Sequence, residues 1–275
     1  MNTRARSICL CGALALVGVV GFADAQSVNR QQLIRVLNGE TIPENGLREG
    51  DTAGTPEPLF TEHFAVEERD FSAKGSNPYF SLRPGHQQVL EGTDDEGVFI
   101  ELRITVLSET KTITILDDGK PERIRTRVIE EREFKDGELY EISRNYYARD
   151  IRTNDIFYFG EDVCFFEDGE CVGTGGSWLA GVNGATPGIM MPGTFFLGAR
   201  YFQEIAPGIA LDRAENATMG LTVPTPAGTF NNCIEIAETT PLEPDAFGTK
   251  IYAPGIGMVK EGPLELVSVR RGNRD

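Results

Sequence analysis

The stretch VFIELRITV, residues 98–106, decides the fold class of this 275-residue chain. Apolar side chains stand at positions 98, 100, 102, 104 and 106, and every residue between them except Phe99 is polar. Successive side chains of a β-strand point to opposite faces of its sheet, so an alternation of period two predicts a half-buried strand.

Further strand-like segments follow this one, and turn residues separate them. The first four span residues 111–116, 122–134, 138–148 and 156–159. The pairs Asp136-Gly137 and Asp168-Gly169 predict tight β-hairpins, because Asp-Gly readily adopts the positive φ angles of such turns. Later strand-like segments occupy residues 195–205, 210–215, 221–223, 229–237, 249–253 and 258–269. We therefore expect an all-β domain over residues 77–269, built as a strongly curved antiparallel sheet or an incomplete barrel.

The N-terminal residues 1–25 have the features of a secretory signal peptide. Arg4 and Arg6 precede an apolar run at residues 8–22, and the small residues Ala23 and Ala25 suit cleavage before Gln26. The apolar run is shorter than the roughly 20 residues of a transmembrane helix. The sequence thus predicts a secreted or periplasmic protein with no stable membrane span.

The regions that flank the predicted β domain differ from it in composition. Residues 26–76 are expected to form a short helix at 27–37 and then an extended acidic strap, and residues 270–275 form a polar tail. The formal net charge of −16 disfavours binding to nucleic acids and to anionic lipid headgroups. We therefore expect no nucleic-acid partner.

Three cysteines follow the signal peptide. Cys164 and Cys171 flank the turn at Asp168-Gly169, and a two-residue loop there would place Cys164 opposite Gly173. In that register the two sulfurs are diagonal neighbours, so a disulfide needs extra twist or a shifted register, and the sequence leaves both states open. Cys233 has no neighbouring cysteine and is expected to be a free thiol.

The sequence contains no recognisable metal-binding or nucleotide-binding motif. His63 and His86 have no further ligands at metal-binding spacing, and no glycine-rich phosphate loop opens a helix. We therefore predict no metal site and no cofactor, and we expect His86 to be a surface turn residue.

Carboxylates are the remaining acid–base groups. Glu161 and Asp162 follow the predicted strand at 156–159, and Tyr147 precedes the turn before it. Two opposed carboxylates would suit a hydrolase or lyase that acts on sugars, and the turn acids could alternatively hold calcium. The third interpretation is that these acids are ordinary turn residues in water.

A glycine-rich segment without charged residues, residues 173–193, interrupts the strand pattern. It contains Trp178, which is the only tryptophan, and the pair Met190-Met191. Long loops of this kind are often functional, so these three side chains are candidate ligand-binding residues. The alternative is that they close one end of the hydrophobic core.

Several motifs along the chain form a further pattern. They are NPYF at 77–80, NYYARD at 145–150, DIFYFGED at 155–162, GSWLAGVNGATPGIMMP at 176–192, PAGTF at 226–230 and YAPGIGMV at 252–259. Together they resemble an uncharacterised family of exported bacterial β-rich proteins. This resemblance implies export and a β fold, and it assigns no activity or site residue. The last strands are also similar to those of periplasmic half-barrels of the lipoprotein-carrier type, which hold acyl chains against a curved sheet.

Three functions follow as hypotheses. The first is an exported, soluble protein that binds a small apolar or amphipathic molecule, such as a lipid, without catalysis. The second is the carboxylate-dependent enzyme, with Tyr147, Glu161 and Asp162 as its candidate residues. The third is a structural envelope protein that acts through surface contacts, which a broad exposed apolar patch would indicate.

Overall fold

The computed structural model describes residues 59–117 and 119–272 of the chain. The predicted signal peptide, the short helix and the strap as far as residue 58 lie outside the described residues. Within them, no helix has the length and apolar character needed to cross a membrane.

Antiparallel strands make up most of the described chain. A short 3-10 helix at Glu68–Asp70 precedes them. The strands are β1 Phe71–Ser72, β2 Gln87–Thr93, β3 Phe99–Asp117, β4 Lys120–Lys135, β5 Glu138–Asp150, β6 Ile156–Glu167, β7 Glu170–Gly173, β8 Trp178–Leu179, β9 Thr186–Met191, β10 Arg200–Phe202, β11 Glu204–Ile205, β12 Arg213–Thr225, β13 Gly228–Thr240, β14 Glu243–Ala253, β15 Gly257–Glu261 and β16 Leu264–Arg270.

These strands form one curved sheet whose two ends meet in a single segment. The order is β10-β12-β13-β14-β15-β16-β2-β3-β4-β5-β6-β9-β11, with β1, β7 and β8 attached beside this path. Only Gln203 separates β10, which pairs with β12, from β11, which pairs with β9. The ladder is not continuous through this point, so the sheet is an incomplete barrel. The predicted all-β fold is confirmed.

The hairpins form where the Asp-Gly pairs predict them. Asp136 and Gly137 have φ angles of 50° and 88°, and Asp168 and Gly169 have φ angles of 52° and 79°. Positive φ at both central residues is the property of a type I′ turn, whose twist matches the right-handed twist of the flanking strands.

Strand β3 is longer than predicted, because two expected strands are joined through an irregular segment. Val106 lies opposite Ile129 of β4, whereas the next pair is Thr110 opposite Arg127, so the register shifts between them. A bulge of this kind leaves backbone groups without ladder partners. The buried Arg127 occupies the bulge, where its Nη1 donates to the carbonyl oxygens of residues 107, 108 and 109 at 3.3, 2.8 and 3.2 Å.

Arg127 also fastens β1, which lies in the predicted strap, to the sheet. Its Nε donates to the carbonyl oxygen of Ala73 at 3.1 Å, directly after β1. Nearby, Phe71 packs edge-on against Phe157 and Phe159, with ring centroids 5.2 and 5.4 Å apart. Strand β1 is therefore held by both a buried guanidinium and an aromatic cluster.

The prediction that His86 is a surface turn residue is wrong. His86 is buried, and its Nε2 lies 2.8 Å from the carbonyl oxygen of Ile256. The chain from Gly272 packs over it: a Cβ at position 272 would lie 2.6 Å from the carbonyl oxygen of Arg83. Contacts with the distant C-terminal residues, which local turn signals do not reveal, bury this histidine.

The cysteines adopt one of the two states left open. Cys164 and Cys171 form a disulfide, with their Cα atoms 5.7 Å apart. A register shift between Phe165 and Phe166 places Phe165, rather than Cys164, opposite Gly173. The shifted register is the adjustment that the disulfide required. Cys233 is a free, buried thiol.

Replacing Arg127 with Met is expected to lower the free energy of unfolding by about 2 kcal/mol. The reason is that the carbonyl group of the buried Ala73 loses its donor, and a buried carbonyl group without a donor costs about 1–3 kcal/mol. Urea unfolding followed by circular dichroism measures the change.

Arg125→Met is the matched control, because Arg125 is an exposed residue of the same strand whose Nε bonds to Thr110 Oγ1. Its effect is expected to stay within about 1 kcal/mol. Equal losses in the two variants would contradict the role assigned to Arg127.

Candidate functional site

The structure contains two cavities that bear on function, and the first lies inside the curved sheet. Strands from both halves of the sheet line it, so its side chains project from the concave face. The side chains that line it include Glu131, Tyr147, Met190, Lys250, Tyr252 and Glu261. Its volume is about 50 Å³. That is room for a few water molecules and is well below the roughly 300–1,000 Å³ of typical ligand pockets.

A buried ion-pair network borders this internal cavity. Lys250 Nζ lies 2.8 Å from Glu238 Oε2 and 3.5 Å from Glu261 Oε1. Gln203 Nε2 donates to the other oxygen of Glu238 at 2.9 Å. Burial alone would lower the pKa of Lys250, but the two carboxylates raise it well above its usual value. Lys250 is therefore a permanent cation inside the sheet.

Carboxyl groups outnumber cations around Lys250. Burial raises the pKa of Glu261 to about 8, although the charge of Lys250 acts in the opposite direction. Burial also raises the pKa values of Glu131 and Glu133. Part of this cluster consequently holds protons near neutral pH.

The second cavity is a groove of about 300 Å³ between β6, β8 and the chain that follows β11. We call it the Trp178 groove. One wall is apolar and consists of Leu179, Val182, Ala185, Ala206, Pro207 and Ile209. The remaining lining residues are Glu161, Asp162, Ser177, Trp178 and Asn183. The groove therefore combines an apolar wall with convergent polar groups.

Close approach of β8 to β6 fixes the position of Trp178. Leu179 pairs with Gly160, and Trp178 pairs with Glu161. A Cβ at position 160 would lie 2.6 Å from the carbonyl oxygen of Trp178, and Gly160 has a φ of 137°. Only glycine combines this conformation with this approach. Gly160 thus allows Trp178 and Glu161 to stand side by side.

Trp178 is buried, and its indole nitrogen makes no hydrogen bond to a described residue. Its ring meets the ring of Tyr158 edge-on, with centroids 5.1 Å apart. Its indole Nε1 has no hydrogen-bond partner within the described part of the chain. A buried indole N–H usually finds an acceptor. Trp178 therefore lines the groove while carrying a donor that no described residue uses.

The two acids of the groove differ in environment. Glu161 is buried, whereas the Asp162 side chain is 63% exposed. Asp162 accepts a hydrogen bond from the Tyr146 hydroxyl and lies 3.1 Å from Lys111 Nζ. Burial and Asp162 together raise the pKa of Tyr146. Asp162 thus belongs to a surface ion pair, while Glu161 carries its carboxyl group inward.

Two further carboxyl groups lie next to Glu161. Glu204 Oε1 accepts the backbone N–H of Asp212 at 2.8 Å, and Glu204 Oε2 has no hydrogen-bond partner among residues 59–117 and 119–272. Burial raises the pKa of Glu204 well above its usual value, and the charges of Asp212 and Glu161 act in the same direction. Glu204 directly precedes the wall residues that begin at Ala206, so this cluster adjoins the groove.

The candidate site residues predicted from the sequence lie in two different places in the structure. Glu161, Asp162 and Trp178 meet in the Trp178 groove. Tyr147 and Met190 instead line the internal cavity, and Met191 is fully buried in β9. Tyr147 stacks on Tyr158, with centroids 4.8 Å apart. Tyr158 thus separates Tyr147 from the groove.

Sequence reasoning missed the buried ion-pair network, although the strand pattern held a signal for part of it. Glu238 follows the alternation of the buried Ile234 and Ile236, and Glu261 follows that of the buried Val259. An acid in phase with buried apolar residues points into the core. Glu204 and Asp212 lie in a two-residue strand and a loop, where no such alternation exists.

Metal ligands do not converge in the described part of the chain, where no group of three or more His, Cys, Asp or Glu residues is arranged to hold a metal ion. Asp150, the last residue of β5 before the turn to β6, accepts the backbone N–H groups of Arg152 and Thr153 at 2.7 and 3.3 Å.

Comparisons with known proteins show no close relative. No family model matches the sequence, and no curated protein matches it. Among solved structures, the chain is similar to a putative lipoprotein from Parabacteroides distasonis, with 11% sequence identity and a TM-score of 0.34. The match covers 72% of this chain and 100% of that chain. Beyond the β-rich character, the resemblance to an uncharacterised exported family stays a prediction.

The free energy of unfolding is expected to fall as the pH rises from about 5 to about 8. A carboxyl group whose pKa is higher in the folded than in the unfolded chain binds a proton preferentially in the folded state, and this stabilisation disappears as the pH passes the folded pKa. Glu261→Gln removes one such group and should make the decline shallower. Urea unfolding across this pH range measures it.

Glu265→Gln is the matched control, because Glu265 is a partly exposed acid that pairs with Lys260 at 2.8 Å. It should leave the slope unchanged. An identical pH dependence in the wild type and Glu261→Gln would contradict the assignment to Glu261.

Proposed function

We propose that this protein is an exported binding protein that holds a small amphipathic molecule in the Trp178 groove and does not transform it. The size of the groove supports this proposal. At about 300 Å³ it reaches the lower end of the range for ligand pockets, whereas the internal cavity of about 50 Å³ does not. Export rests on the signal peptide predicted at residues 1–25.

The observation that carries the proposal is the combination of exposed apolar side chains with an unused buried donor. Val182 and Ile209 are 47% and 41% exposed on the groove wall. The neighbouring Trp178 has an indole N–H without a partner in the described residues. An apolar wall beside a few fixed polar groups is the usual composition of a small-molecule site.

The arrangement of the acids favours binding over sugar hydrolysis. Glycosidases place two carboxyl groups on opposite sides of the scissile bond. Glu161 and Asp162 are successive residues of β6, and Asp162 is already engaged by Tyr146 and Lys111. Tyr147, the third candidate for catalysis, lines the internal cavity.

Fluorescence of Trp178 should report binding directly, because it is the only tryptophan of the chain. Titration with 1-decanol, a neutral amphiphile, is expected to shift or quench the emission with saturation. Ile209→Ser should weaken binding by about 1 kcal/mol, roughly fivefold in Kd, because it removes part of the apolar wall.

Met219→Ser is the control for this experiment. Met219 is an exposed apolar residue of β12 that does not line the groove, so its replacement should leave the titration unchanged. A flat emission and an unchanged melting temperature up to the solubility limit of 1-decanol would refute binding of small amphiphiles in the groove.

A further inference from the structure

We infer that the Trp178 groove selects amphiphiles whose head carries a protonated amine next to a hydroxyl oxygen, that is, alkyl amino alcohols. The ammonium group would lie against the carboxyl groups at Glu161, and the hydroxyl oxygen would accept the indole N–H of Trp178. This inference rests on the proposed function, because it names the ligand class of the same groove.

A hydrogen-bond donor and an acidic group stand side by side in the lining of the groove. Glu161 and Trp178 are directly paired residues of β6 and β8, and both line the groove. Directly paired residues of neighbouring antiparallel strands carry their side chains on the same face, with Cβ atoms about 5 Å apart. A matching ligand head therefore needs a hydrogen-bond acceptor and a cation on neighbouring atoms, which is the chemistry of an amino alcohol.

The charged side chains that line the groove are negative. Its charged lining residues are Glu161 and Asp162, and the described lining contains no Lys or Arg. Lys111, the cation nearest to Asp162, lies over the ring of Tyr146 at 4.0 Å and is not part of the lining. Two unit charges attract more strongly in a partly buried site than in water, so the groove favours a cationic head over a neutral one.

Glu204 carries a buried carboxyl group beside the groove. Its Oε2 has no hydrogen-bond partner among the described residues, although a buried polar atom is normally paired. The carboxyl groups that face Glu204 are Asp212, Glu161 and Glu238, from the loop before β12, from β6 and from β13. These groups repel one another when ionised, and a cation bound at Glu161 reduces that repulsion.

Four ligands with the same alkyl chain separate the possible outcomes. They are 2-aminodecan-1-ol, decylamine, 1-decanol and decanoate. Titration of Trp178 fluorescence at pH 7 should give the tightest Kd for the amino alcohol, followed by the amine, the alcohol and the carboxylate. The amino alcohol should bind at least about tenfold more tightly than 1-decanol, and added salt should reduce this ratio.

Isothermal titration calorimetry in phosphate and in Tris buffer adds a second readout. A cation that favours ionised carboxyl groups displaces a proton, so the binding enthalpy of the amino alcohol should differ between these buffers. The binding enthalpy of 1-decanol should not. Equal enthalpies for the amino alcohol in the two buffers would contradict the coupling to Glu204.

Variants assign the effect to particular residues. Glu204→Gln should reduce the preference for the amino alcohol over 1-decanol severalfold while the Kd of 1-decanol stays unchanged. Glu133→Gln is the matched control, because Glu133 is also a buried carboxyl group but pairs with Lys135 away from the groove. A preference that both variants reduce equally would contradict the inference.

The outcomes for the inference and for the proposed function are distinct. If 1-decanol and the amino alcohol bind with equal Kd values, the inference is wrong and the groove is a site for amphiphiles in general. If none of the four ligands changes the fluorescence or the melting temperature, both the inference and the proposed function are wrong.

Discussion

The rest of the structure depends on the segment from Arg200 to Ile205, which supplies the strands at both ends of the strand order. Because β10 joins β12 and β11 joins β9, the curved sheet encloses an interior instead of opening to solvent. Gln203, between these two strands, reaches across to Glu238 and completes the bonding of the buried ion pair. The following residues form the apolar wall of the Trp178 groove. One short segment thus creates both the enclosed interior and one side of the candidate site.

Irregular positions in the strands determine where functional side chains stand. In β3, the bulge after Val106 would leave several carbonyl groups without partners, and the Arg127 guanidinium supplies the missing donors. In β6, Gly160 admits the backbone of β8 so closely that no larger residue fits. The first irregularity joins two expected strands into a single long one. The second presents Trp178 beside Glu161. Both are local departures from regular strand pairing, and each determines the position of a particular side chain: Arg127 in the bulge and Trp178 in the groove.

The sequence predicted the parts of the fold that depend on neighbouring residues. The hairpins at Asp136-Gly137 and Asp168-Gly169 follow from local φ preferences, and the strand of residues 98–106 follows from alternation. Glu161, Asp162 and Trp178 were singled out from one stretch of chain, and they do share a groove. The part of the apolar wall at Ile209 follows β11, so its position depends on the pairing of β11 with β9. The burial of His86 likewise depends on a chain segment almost two hundred residues away. Local patterns carry no information about such contacts.

Some of the acidic residues of the chain are buried in two clusters. The formal net charge is −16, and within the described part of the chain Glu131, Glu238 and Glu261 lie around the buried Lys250. Buried like charges oppose folding unless protons or cations neutralise them. Inside the sheet, Lys250 and bound protons supply that neutralisation. Beside the groove, the buried Glu204 interacts with Asp212 and with Glu161, and Glu161 is the member of this second acidic cluster that lines the groove. A cationic ligand bound at Glu161 would reduce the repulsion among these carboxyl groups, as Lys250 does inside the sheet. Binding of such a ligand would therefore also stabilise the folded chain.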